Sequence, residues 1–185
     1  MKRILLFSLL AATAAAHSQV ISNGSFENAK VENGYWTGGL NADGWTFNAN
    51  SGIAMGDSAW GRSAHSGAKY AYVQSRGDGI GMFCQVVQGF TIGQKYRVSF
   101  WMARRNTAVE LIRAANVAVP VELLADNKVI FPMTKPKGTG EWQLYESKPF
   151  VATTKGITFT FMAETSDTDK TTLIDDVVLT PITRR

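Results

Sequence analysis

Thr171-Thr-Leu-Ile-Asp-Asp-Val-Val-Leu-Thr-Pro181 is a β-branched run with two adjacent carboxylates in its middle. Side chains alternate across a strand, so Asp175, Val177 and Leu179 are expected on one face and Ile174, Asp176 and Val178 on the other. Both faces then carry apolar residues, as in a strand covered on both sides. A carboxylate in such a strand is costly unless it meets water, a partner or a cation. By the same alternation the two aspartates cannot both point the same way. Glu27, in Asn23-Gly-Ser-Phe-Glu27 near the other end of the chain, is the natural companion. If the acids share a sheet margin, either a hard cation ties the chain ends together or the two are hydrogen-bonded edge carboxylates.

Outward from this strand, the same period recurs. Tyr96, Val98, Phe100 and Met102 form one apolar face, with Trp101 on the other suggesting partial cover there. Ile157, Phe159, Phe161 and Ala163 alternate with Thr158, Thr160 and Met162, and Lys69 to Gln74 alternates as cleanly. Shorter strands are read at Val20-Ile21 with Phe26, at Trp45 to Phe47, at Ile80 to Gln88, at Trp142 to Tyr145 and at Lys148 to Ala152. Asp126-Asn127 joins Val117–Ala125 to Lys128–Phe131 in a tight hairpin. Residues 28–44 and 56–67 read as polar surface loops, Arg76 to Gly79 as a turn, and residues 106–116 as ambiguous with a short helix. Many short strands separated by turns, with no strong long helix and no repeat, predict an all-β fold. Its size suits a double-sheet jelly roll.

Met-Lys-Arg, an apolar run from Ile4 to Ala16 and then Ala16-His17-Ser18 have the layout of a secretory signal peptide, too short to span a bilayer. Cleavage is expected after Ser18, with Ala16 as the alternative. That leaves one domain at 19–185 and a secreted product, periplasmic or extracellular. Losing Lys2 and Arg3 takes 19 basic residues to 17 against 15 acidic ones, a net of about +2. No concentrated basic face results, so a nucleic-acid partner is not expected. No later segment could span a membrane, and the protein is expected to be monomeric. Cys84 is alone, so no internal disulfide forms, and it reads as a buried, inert thiol.

Asn23-Gly-Ser-Phe-Glu27, Gly44-Trp45, His65-Ser-Gly-Ala-Lys69-Tyr, Phe83-Cys-Gln-Val-Val, Gly93 to Ala103, Gly140-Glu-Trp142 and Leu173 to Leu179 occur in an order that resembles a known family. Together they resemble the galactose-binding-like β-sandwiches, most closely carbohydrate-binding modules of families 4, 9 and 22 and DUF642-type cell-wall proteins. The resemblance implies a jelly-roll β-sandwich of two antiparallel sheets with a structural calcium near the chain ends. Its ligands would be the carboxylates of Glu27 and Asp175 with backbone carbonyls from Ser66 to Lys69, including Ser66 and Lys69 themselves. Some relatives place an acid in that middle loop where this chain has His65-Ser66-Gly67. The resemblance also assigns Trp45, Trp101 and Trp142 to the packing of the sandwich.

Catalytic chemistry has few candidates. After the leader is lost only His65 remains for a nucleophile–histidine scheme, and it sits in a Gly/Ser loop where a solvated histidine is the plain expectation. No zinc cluster or phosphate-binding loop is present. Sugar binding needs exposed rings and polar groups that fix hydroxyls. Tyr35, Trp36 and Trp60 in the polar loops are the ring candidates; Arg76, Asp78, Arg104 and Asn106 at strand ends are the polar ones. Tyr70 and Tyr72 share a strand face that is core unless it is the open one. The expectation is a non-catalytic module for a polysaccharide or surface glycan. An extracellular protein-interaction domain of the same fold, or a small polysaccharide-acting enzyme, are the alternatives.

Overall fold

The computed structural model describes residues 20–31, 35–37, 41–56, 62–77, 79–105, 118–137 and 141–183. Among these there is no helix. The strands are β1 (Tyr35–Thr37), β2 (Asn41–Ala42), β3 (Trp45–Phe47), β4 (Ser51–Met55), β5 (Lys69–Gly77), β6 (Gly79–Ile80) and β7 (Met82–Gln88). They continue with β8 (Lys95–Arg104), β9 (Val121–Ala125), β10 (Lys128–Thr134), β11 (Gln143–Glu146), β12 (Phe150–Val151), β13 (Gly156–Ala163) and β14 (Ser166–Ile182). Every pairing is antiparallel. The larger sheet runs β1-β4-β5-β14-β8-β11, with β6 beside β5 and β12 beside β8. The smaller runs β10-β9-β13-β7-β3-β2.

Two period-two strands fix the core. Tyr96, Val98, Phe100 and Met102 of β8 and Ile157, Phe159, Phe161 and Ala163 of β13 are all buried between the sheets. Aromatic rings fill the gap: Phe161 meets Phe83 at 5.0 Å and Phe100 at 5.0 Å, and Trp45 meets Phe83 at 5.2 Å edge-on. Each such ring withdrawn from water stabilises by about 1.5–3 kcal/mol. The hairpin at Asp126-Asn127 forms as the sequence predicts, both residues taking the left-handed backbone that a two-residue turn requires, with φ of 47° and 64°.

The central strand departs from plain alternation. On β14, Asp175 lies opposite Trp101 but Val178 lies opposite Ser99, so Asp176 and Val177 together face a single residue of β8. This is a β-bulge, and Asp176 turns it with φ of 48°. Val177 consequently joins Ile174 and Leu179 in the core, while Asp175 is on the opposite, outer face with Leu173. The expected grouping of Asp175 with Val177 is therefore corrected: the extra residue resets the alternation.

The segment expected as a strand at Val20-Ile21 and Phe26 is instead a series of turns, because Asn23 and Phe26 both adopt positive φ. It is still anchored. The Val177 N–H donates to the Gly24 carbonyl at 2.9 Å, and Gln85, buried in the smaller sheet, accepts from the Ser22 N–H and donates to its carbonyl. A Cβ on Gly24 would lie 2.1 Å from the Val177 oxygen, so only glycine allows this approach. The first and last segments thus lie side by side, as expected. Residues 28–44, read as one loop, contain β1 at the margin of the larger sheet and β2 at the margin of the smaller. Residues 1–18, the ambiguous stretch 106–116, Trp60, Asp78 and Asn106 fall outside the described residues.

Candidate functional site

The loop between β4 and β5 is the hub of the outer face of the larger sheet, and three carboxylates hold it. Asp175, fully buried, accepts from the backbone N–H groups of His65 at 2.9 Å and Ser66 at 3.2 Å through Oδ2, and from Asp176 at 2.8 Å through Oδ1. Asp176 meets His65 Nδ1 at 2.5 Å and accepts from Ser66 Oγ at 2.7 Å. The bulge thus lets consecutive aspartates reach the same two residues, contrary to the expectation that they must diverge. Glu27 Oε1 accepts from Ala68 N–H at 2.9 Å and Lys69 N–H at 2.7 Å, and the Lys69 ammonium returns a hydrogen bond to the Glu27 carbonyl at 2.6 Å. Gly67 permits the turn with φ of 62°, and a Cβ there would sit 2.5 Å from the Glu27 carboxylate. Burial pushes the Asp175 carboxyl up to about 7; the Asp176 charge adds to the rise, while the hydrogen bonds from Ser66, Asp176 and His65 oppose it.

From this anchor residues 62–66 cross the sheet. Arg62 Nε donates to the Arg104 carbonyl at 3.1 Å, and the Ser63 carbonyl accepts from Trp142 Nε1 at 3.0 Å. Ala64 packs on a small second core of Ala54, Tyr70, Tyr72 and Leu173. That cover explains why Tyr70 and Tyr72 are buried although they face away from the main core. His65 lies flat on Trp101 with ring centres 3.8 Å apart and meets Trp142 edge-on at 6.1 Å. Of the three tryptophans assigned to the sandwich, only Trp45 is in the main core; Trp101 and Trp142 are half-buried on this outer face. His65, expected to be solvated, is held by a ring on one side and a carboxylate at its edge.

The cover leaves the other end of this face open. There β8 runs between β11 and β14, placing Glu146 and Val178 on either side of Ser99 and Thr180 opposite Arg97. Arg97, Ser99, Glu146, Thr180 and Ile182 line a shallow depression, two residues along β8 from Trp101. Arg97 Nη1 pairs with Glu146 Oε2 at 2.8 Å. The outer face of the smaller sheet differs in character: Thr46, Met82, Cys84, Val86, Leu124, Thr158, Thr160 and Met162 alternate with the core residues of their strands and include no aromatic ring. Cys84 is half-exposed there rather than buried, and the burial it has raises its thiol pKa.

The residues expected to bind sugar are not gathered at one point. Tyr35 and Trp36 pair with Ala54 and Ile53 at the β1 margin; their side chains lie outside the described residues. Arg76 is exposed at the far end of β5 from Lys69, about 23 Å along the strand. Arg104 ends β8 opposite Thr172, half-buried beside the Arg62 contact. Signals for the open depression were present in the alternation of Arg97, Ser99 and Trp101. What the chain could not show is Glu146 beside Arg97, because that meeting depends on register between distant strands.

Of the residues expected at the metal, Ser66 meets Asp175 and Lys69 meets Glu27, at successive points of one loop. Calcium needs about six to eight oxygens. Here the loop donates N–H groups to both acids, each Asp175 oxygen accepts a backbone hydrogen, and an ammonium caps the Glu27 carbonyl. Among the described residues no three His, Cys, Asp or Glu side chains are grouped to hold a metal. In this arrangement the acids are held as hydrogen-bonded carboxylates.

The family model of a carbohydrate binding domain, CBM_4_9, matches residues 18–171. The chain belongs to that family. Solved structures share the fold of this carbohydrate-binding domain. TmCBM61 in complex with β-1,4-galactotriose matches with a TM-score of 0.59 at 18% identity, covering 89% of this chain and 99% of that one. A CBM4 structure matches at 0.51 and 17%, covering 88% and 99%. The enzymatically active domain of bacteriophage CBA120 tailspike protein 4 matches at 0.53 and 11%, covering 89% of this chain but 21% of that one. No curated protein matches the carbohydrate-binding domain. No described helix is long and apolar enough to cross a membrane.

Proposed function

We propose that this chain is a secreted, non-catalytic module that binds a polysaccharide or surface glycan. The observation that carries the reading is the carbohydrate binding domain match over residues 18–171, on a sandwich whose larger sheet leaves part of its outer face open. The leader-like Met1 to Ser18 supports export. His65 and Asp176 form a carboxylate–imidazole pair, but Ser66 Oγ donates to Asp176 rather than to the imidazole, so no nucleophile is activated there. The pair anchors a loop. Trp36 and Trp60 serve as the ring contacts; of the polar candidates, Arg76 stands at the far end of β5 from the β4–β5 loop.

A glycan array on the chain lacking residues 1–18 tests this. Retention of at least one polysaccharide is expected, weakened at least ten-fold by Trp36→Ala or Trp60→Ala without a change in melting temperature. Unchanged retention in both variants removes those rings from the site. No retention across a broad panel overturns the function.

A further inference from the structure

We propose that the outer face of the smaller sheet holds a soft monovalent metal ion, copper(I) or silver(I), between the Cys84 thiolate and the thioethers of Met82 and Met162. This site is independent of the glycan reading, and either can fail without the other. Met82 and Cys84 stand two residues apart on β7 and flank Phe83, whose ring is buried in the core, so both project from the outer face. On β13, Met162 lies between the buried Phe161 and Ala163 and projects the same way. The register sets Met162 directly opposite Met82, and Thr160 opposite Cys84.

The ladder decides how close these side chains come. The Asn48 N–H donates to the Met82 carbonyl at 3.2 Å, so Met82 directs its backbone toward β3 rather than β13. One step along, the Ala163 N–H donates to the Gly81 carbonyl at 2.9 Å. Met82 and Met162 are therefore a non-hydrogen-bonded pair, the kind whose Cα atoms stand about 4.5 Å apart and whose side chains are closest. Cys84 is about 7 Å along β7 from Met82 and diagonal to Met162, a separation that long side chains bridge. Met82 is 38% exposed, and Cys84 and Met162 are half-buried, so an ion reaches all three from solvent.

The donor set selects the metal. Thiolate and thioether sulfurs are soft ligands that favour copper(I) over hard cations such as calcium or magnesium. Each methionine has three rotatable bonds, which lets its sulfur settle around an ion without moving the backbone. Val86 and Leu124 on the same face keep the surroundings apolar, and Glu122, opposite Met162 on β9, adds a negative charge beside them. Binding exchanges the thiol S–H bond for an S–metal bond and releases the proton to solvent, with no change of oxidation state.

Anaerobic titration of the chain lacking residues 1–18 with copper(I), in competition with bicinchoninate, tests the site, with silver(I) binding counted by native mass spectrometry. One ion per chain is expected. Met82→Leu and Met162→Leu, which conserve volume, should each weaken copper(I) binding about ten-fold, and Cys84→Ser about a hundred-fold, with the metal-free melting temperatures of the leucine variants unchanged. The two leucine variants read the site even if Cys84→Ser unfolds. Silver(I) should move the methyl resonances of Met82 and Met162 and leave that of Met55, on the other sheet, in place. Copper(I) binding that survives both leucine variants within about two-fold rests on Cys84 alone and overturns the three-sulfur site. One ion shared between two chains overturns its placement within a single chain. Zinc(II) held more tightly than copper(I) overturns the metal class, and no binding of either soft ion overturns the site altogether.

Discussion

Removing one charge at Asp175 should change how stability depends on pH. Asp175 is buried, and its carboxyl is raised from 3.8 to about 7, chiefly by burial, with the Asp176 charge adding to it. The folded state therefore holds its proton more tightly than the unfolded chain does. Between about pH 4 and pH 7 the folded form binds more protons, so stability falls as pH rises through that window. The stabilising contribution is fully present below the unfolded value and lost above about 7. At about 1.4 kcal/mol per pH unit, the rise corresponds to roughly 4 kcal/mol across the window. Asp175→Asn is neutral throughout and keeps an oxygen for the N–H groups of His65 and Ser66, while losing the acceptor for Asp176 N–H, a cost of about 1–3 kcal/mol. It leaves the His65–Asp176 pair in place, so the difference between the two proteins isolates Asp175. Urea unfolding at a series of pH values from 4.5 to 7.5 gives the free energies. The native chain should lose several kcal/mol more than the variant between those limits. Parallel slopes in the two proteins would refute the reasoning.

Chelator or added calcium should leave the melting temperature within about 1 °C, because N–H groups hold Glu27 Oε1 and both Asp175 oxygens and an ammonium caps the Glu27 carbonyl. Calcium at a hundred times its dissociation constant would instead stabilise by about 2.7 kcal/mol, a rise of several degrees. Gly67→Ala should destabilise by at least about 1 kcal/mol, through both its φ of 62° and the clash with Glu27, and denaturant unfolding reads it. Glu27→Gln in the same background should relieve none of the backbone strain, so a full rescue would contradict that account. Phe161→Ala, which empties the centre of the ring cluster, should cost about 3–5 kcal/mol by the same assay.

The strands of this fold are legible wherever the period holds. Tyr96 to Met102 and Ile157 to Ala163 alternate in the chain and alternate in the sandwich, since a sheet with one buried face dictates that pattern. The bulge at Asp176 is not legible, because aspartate tolerates the left-handed backbone without requiring it, and one inserted residue exchanges the faces of everything beyond it. For the same reason Val20 to Phe26 reads as a strand while two positive-φ residues fold it into turns. Tyr70 and Tyr72 illustrate a different limit. Their burial comes from residues 62–66 laid across an outer face, a tertiary contact with no local signal. Glu27 and Asp175 both hold the loop of residues 65–69, and which backbone groups that loop turns to them depends on the turn at Gly67, which no local pattern reveals.

The most direct test of the whole account is a chemical-shift titration of the nitrogen-labelled chain with an oligosaccharide of whichever polymer retains it. Shifts should gather at Trp36, Trp60 and Arg104, the contacts proposed for the glycan. Shifts gathered instead around Cys84 and Thr160 on the smaller sheet would contradict it, as would a spectrum that no sugar perturbs.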